Sequence, residues 1–92
     1  MHELWITKRV LEVALERAAD AGAAHITALH LEIGDESEVS PVSVEFYWPQ
    51  ISQETAAEGA QLVFTSAADP AAFRLTGIDV DEASPTRVRN RP

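Results

Sequence analysis

The first three residues of this chain, Met1-His2-Glu3, place an imidazole beside backbone nitrogens. If Met1 is retained and unmodified, a free α-amine, the His2 amide nitrogen and the His2 imidazole fall within two residues. Three such nitrogens chelate one ion through fused small rings, and square-planar nitrogen donation suits Ni(II) or Cu(II). Adjacent Glu3 adds another amide and a carboxylate. Binding there releases protons, because the amide must deprotonate and the amine must be neutral. Many chains carry a histidine at this position by chance, so on the residues alone both a metal site and a coincidence stand.

The other ionisable groups carry less. His30 and Glu32 stand two apart on one strand face, and His25 stands at the strand's start; both histidines read as surface decoration. Glu12 and Glu16 share the solvent face of a helix, and Asp79 and Asp81 share a strand face. Catalytic carboxyls need a cleft that separates their pKa values, and nothing in the pattern supplies one, so both pairs read as solvated. There is no G-x-S-x-G, P-loop or G-x-G-x-x-G. Cysteine is absent, which removes disulfides, thiolate metal sites and cysteine nucleophiles together. No enzyme is expected.

The 92 residues support one small domain with a thin core. All fifteen acidic residues lie within positions 1–82, against Lys8, Arg9, Arg17 and Arg74. An acidic body disfavours nucleic acid and favours cations or basic protein surfaces, although solubility alone also accounts for it. Arg87, Arg89 and Arg91 make residues 83–92 a basic tail, which reads as disordered. No apolar run approaches ~20 residues, so no membrane partner is expected. The start lacks a signal-peptide core, so a cytoplasmic location follows by default. Oligomeric state stays open, with a homo-oligomer allowed.

The elements that must carry these groups follow from periodicity. Over 3–21, Leu4, Val10, Leu11, Ala14, Leu15, Ala18 and Ala21 form one helical stripe opposite Lys8, Arg9, Glu12, Glu16 and Asp20. Lys8 and Glu12 stand four apart and are spaced to pair, and Gly22 offers a C-cap. Trp5 falls on the polar side, which leaves it either folded back over a frayed first turn or exposed as a contact surface. Residues 25–33 alternate, with Leu29, Leu31 and Ile33 on one face, and read as a half-buried strand. Residues 35–39 read as an acidic loop. Ser40-Pro41 starts a second helix with Val44, Trp48 and Ile51 on its core face. Pro49 costs that helix roughly 3 kcal/mol and predicts a kink or an early end near Trp48. Residues 60–66 and 72–80 read as two further strands joined by the turn-like 67–71. Phe73 and Leu75 fall out of phase with Ile78 and Val80, and a bulge at Gly77 restores them to one face. The order α-β-α-β-β predicts a two-layer α+β domain: a three-stranded antiparallel sheet with two helices on one face, its last two strands forming a hairpin.

Beyond spacing, the chain resembles the HypA/HybF family of nickel metallochaperones. The residues that carry the likeness are Met1-His2-Glu3-Leu4, Ile6-Thr7, Ile33-Gly34, Ser40-Pro41, Ser43, Glu45-Phe46, Thr55, Ala57-Glu58-Gly59-Ala60 and the strand 73–82, FRLTGIDVDE. The resemblance covers about residues 1–82 and implies a nickel-binding domain. It implies nickel held at His2 with Met1 and Glu3, whose backbone nitrogens contribute. It also implies a role in hydrogenase or urease maturation, beside a GTPase of the nickel-insertion pathway and the hydrogenase large subunit. The family carries a zinc subdomain with two CxxC pairs between the second and third strands; here only AADPA stands there, so no zinc is expected. Trp5 occupies a position where the family usually has a small residue. An interaction module that binds a maturation partner without carrying metal is the alternative.

Overall fold

The computed structural model describes residues 2–81, so Met1 and the tail read over 83–92 lie outside the described residues. The first helix, α1 (His2–Asp20), buries Val10, Leu11, Ala14 and Ala18 as its stripe predicts. Thr7 joins them, fully buried, because its hydroxyl donates to the Glu3 carbonyl one turn back at 2.6 Å and so needs no other partner. Ala21, placed on the stripe by periodicity, is exposed. Glu12 pairs with Arg9 at 3.0 Å rather than with Lys8. Gly22 takes φ +70°, and the amides of Gly22 and Ala23 donate to the carbonyls of Ala19 and Ala18, a Schellman end that suits glycine.

Strand β1 (Ile26–Ile33) leads to α2 (Pro41–Ile51), β2 (Gln61–Ser66) and β3 (Phe73–Val80). This is the order α-β-α-β-β read from the sequence, and the α+β class holds. The fully antiparallel sheet and its closing hairpin do not. The strand order is β2-β1-β3, with β1 parallel to β2 and antiparallel to β3. The reason is the connection: α2 lies between β1 and β2, and a helical crossover returns the chain in the same direction. β2 and β3 therefore flank β1 and do not pair with each other.

Residues 67–72 must then step across the end of β1, two strand spacings of about 4.8 Å each. They pass directly over Gly34. The Gly34 amide donates to the Ala72 carbonyl at 2.8 Å, and the Glu36 amide donates to the Pro70 carbonyl at 2.7 Å. A Cβ at position 34 would collide with the backbone oxygens of Asp69 and Pro70. Gly34 thus permits a close backbone crossing rather than merely ending a strand.

The register confirms the bulge in β3: His30 stands opposite Gly77 and Leu31 opposite Leu75, which leaves Thr76 as the extra residue. Phe73, Leu75, Ile78 and Val80 all pack on one core with Leu29 and Leu31, both fully buried. Val10, Leu11, Ala14 and Ala18 of α1 and Val44 and Trp48 of α2 belong to the same core, so both helices cover one sheet face as expected.

Helix α2 runs through Pro49 to Ile51, three residues past the end predicted near Trp48. Glu45 and Pro49 are both exposed, so the proline lies on the solvent side of the helix rather than in the core. Beyond the proline, the Ser52 amide and hydroxyl both donate to the Trp48 carbonyl, at 3.0 and 2.7 Å, and close the last turn. Trp48 itself is buried with no partner for its indole Nε1–H.

Candidate metal centre

His2 is the first residue of α1, and its side chain stands 84% exposed. The first amides of any helix have no intrahelical acceptor, so the backbone nitrogens of His2 and Glu3 are not committed to the helix. The positive end of the helix also stabilises a negative charge placed on them. Those are the properties an amidate ligand needs.

Glu3 follows a different course from His2. Its carboxylate Oε1 accepts a hydrogen bond from the Ser43 hydroxyl in the first turn of α2. Ser43 is held in turn by Ser40, whose Oγ caps the Ser43 amide at 3.2 Å and donates to the Ser43 Oγ at 3.1 Å. Ser40 has the extended backbone of an N-cap, φ −101° and ψ 156°, with Pro41 following it. The chain Ser40–Ser43–Glu3 therefore ties the start of α1 to the start of α2. Of the three residues singled out by sequence, Met1 lies outside the described residues, His2 is exposed beside the Glu38 carboxylate, and the Glu3 carboxylate is engaged by Ser43.

The sequence reading missed Glu38. Its Oε1 lies 3.7 Å from Nδ1 of His2. Glu38 sits between Ser37, whose hydroxyl accepts from the Val39 amide at 3.1 Å, and Val39, which is 1% exposed and anchored in the core. The signal available in the sequence was its position two residues before the N-cap of a helix that packs on α1.

The remaining histidines lie on the outward face of the sheet and at its edge. His30 Nε2 meets Asp79 Oδ2 at 3.1 Å, and His25 Nδ1 meets Asp81 Oδ2 at 2.9 Å. Glu32 takes Arg74 at 2.9 Å. Each group is thus half of a cross-strand pair, as surface decoration predicts. Among the described residues no three His, Asp or Glu side chains converge as a metal-holding group.

A family model described as HypA, hydrogenase/urease nickel incorporation, metallochaperone, matches residues 1–73. This chain belongs to the HypA family. It is 39% identical over 64 residues to the hydrogenase maturation factor HypA of Aeromonas hydrophila, covering 70% of this chain and 57% of the relative. With the HypA of Geotalea uraniireducens it shares 40% over 63 residues, covering 68% and 54%. The chain spans just over half the length of these curated relatives. The solution structure of the Ni metallochaperone HypA from Helicobacter pylori superposes with a TM-score of 0.75 over 85% of this chain and 96% of that one. At 12% identity that likeness establishes the HypA fold. No described helix is long and apolar enough to cross a membrane.

Proposed function

We propose that this chain is a nickel-binding accessory protein for maturation of a hydrogenase-type metalloenzyme, acting as a carrier rather than a catalyst. The observation that supports it is the exposed His2 at the free-amide end of α1, in a chain matched to the HypA family from residue 1. The α-amine of Met1, the His2 amide and the His2 imidazole are the donors, and the Glu3 amide is the alternative backbone donor. Nickel is cargo here, and exposure of the site suits hand-over to another protein. A cysteine-free chain offers no thiolate zinc site, so residues 1–82 act as the nickel-binding domain without a zinc subdomain.

Nickel titration by calorimetry tests this, using protein whose native, unblocked start is confirmed by mass spectrometry. The native start binds; His2→Ala and a variant extended before Met1 lose most of the affinity. Equal binding by all three would overturn the proposal. Affinity also rises with pH, since each amide bound as an amidate gives up a proton.

Trp5 (76% exposed), Val42 (74%) and Phe46 (64%) favour a second reading, an interaction module without metal. In either reading the partners are a GTPase of the nickel-insertion pathway and the hydrogenase large subunit. Trp5→Ala that weakens capture of both proteins while nickel affinity is unchanged would separate docking from metal binding.

A further inference from the structure

The two edges of the sheet are not alike. β2 and β3 flank β1, so each has one side without a partner strand among the described residues. Beside β3 that open side is partly roofed. Ile6 and Val13 of α1 line a recess of about 280 Å³ with Phe73 and Leu75 of β3, room for side chains rather than for a folded domain. All four apolar residues are only half-buried, whereas Leu29 and Leu31 on the central strand are fully buried. No described residue of β1, β2 or α2 lines the recess. It therefore lies where the inner face of a fourth strand would pack.

The backbone of β3 is turned the same way. Along an antiparallel ladder, opposed residues alternate between pairs that bond to each other and pairs that do not. The bond from the Gly34 amide to the Ala72 carbonyl lies one residue beyond the Ile33–Phe73 pair, which makes that pair a non-bonded one. Phe73 and, two residues on, Leu75 thus direct their N–H and C=O groups to the open edge. The bulge at Thr76 ends this regular stretch.

Charge selects the occupant. Residues 2–81 carry four cationic side chains, Lys8, Arg9, Arg17 and Arg74, and the three arginines rim this recess. Arg9 and Arg17 stand about 12 Å apart along α1. Arg9 and Arg74 each meet one carboxylate, and Arg17 meets none among the described residues. The recess at the other edge, beside Phe64, carries Asp35 and no cation. A second copy paired edge to edge would set the same arginines against each other. We propose that the outer edge of β3 accepts an extended acidic segment of a partner protein as a fourth strand, with apolar side chains under α1 at alternate positions and carboxylates between them in the field of the three arginines. The surface uses no residue of the candidate metal centre.

The test uses the full chain without nickel and a short labelled peptide that alternates valine and glutamate, with a peptide carrying lysine for glutamate beside it. Fluorescence anisotropy reads affinity, and amide hydrogen exchange by NMR reads the edge. The glutamate peptide is expected to bind at least tenfold more tightly than the lysine peptide and to slow exchange at the Phe73 and Leu75 amides. Arg17→Ala, with folding checked by circular dichroism, is expected to lose at least fivefold in affinity for it. Equal affinity for the two peptides, binding that leaves Phe73 and Leu75 unprotected, or unchanged affinity in Arg17→Ala would each overturn the proposal. Slow exchange at both amides in the protein alone, together with a dimer in sedimentation, would give the edge to a second copy and overturn it as well. Failure of nickel to bind at His2 would alter none of these outcomes.

Discussion

Glu3 shows how one side chain can carry a different role from its own backbone. Its amide belongs to the candidate metal centre, whereas its carboxylate bonds to Ser43. Removing that bond with Ser43→Ala is expected to lower stability by about 1 kcal/mol, read as a shift in the urea midpoint. An unchanged midpoint would mean that the bond is not formed in solution. The two tryptophans should part company in the same assay. Trp5→Ala, on the exposed side of α1, is expected to change stability by less than about 0.5 kcal/mol, while Trp48→Ala in the core should cost about 3–5 kcal/mol. His2 stands out as a candidate in the sequence because the chemistry proposed for it is local, needing only its own backbone and its neighbour. Glu38 does not, because its partner lies 36 positions away and loop residues carry no periodicity that would bring the two together.

At the scale of elements, most boundaries could be read and the pairing could not. Alternation fixed β1 and the face it buries, and the phase slip between Leu75 and Ile78 located the bulge that the register shows. Alternation says nothing about which strand lies beside which. The intervening helix is the sign in the sequence that β1 and β2 run parallel, whereas chain order alone favours a hairpin between the last two strands. Pro49 ends the helix later than its sequence suggests for a related reason: its cost depends on whether the orphaned carbonyl meets water, which a sequence does not show. The crossing at Gly34 gives the sharpest element-level prediction. Gly34→Ala forces backbone away from backbone and is expected to destabilise by about 3 kcal/mol, a drop of more than about 10 °C in the thermal midpoint for a domain this size. A midpoint within about 2 °C of wild type would show that residues 67–72 do not lie over β1 as described.

As a whole molecule, the chain is one thin core that presents one end. Two helices bury a stripe each against the inner face of a three-stranded sheet, while the outer face is laced by His30–Asp79 and Glu32–Arg74. A domain of this size has roughly 5–10 kcal/mol to lose, so Leu29→Ala, fully buried at the centre of β1, should remove about 3 kcal/mol and a large part of the total. The HypA match and the fold account for this framework. What the framework does is bring the starts of α1 and α2 together, so that an imidazole, free amides and a loop carboxylate occupy one exposed corner. Nickel K-edge X-ray absorption on the loaded protein with a native start tests that most directly. A planar environment of nitrogen and oxygen donors with imidazole scattering, which His2→Ala removes, is the expected result. An octahedral, water-rich environment that is the same with and without His2 would contradict it.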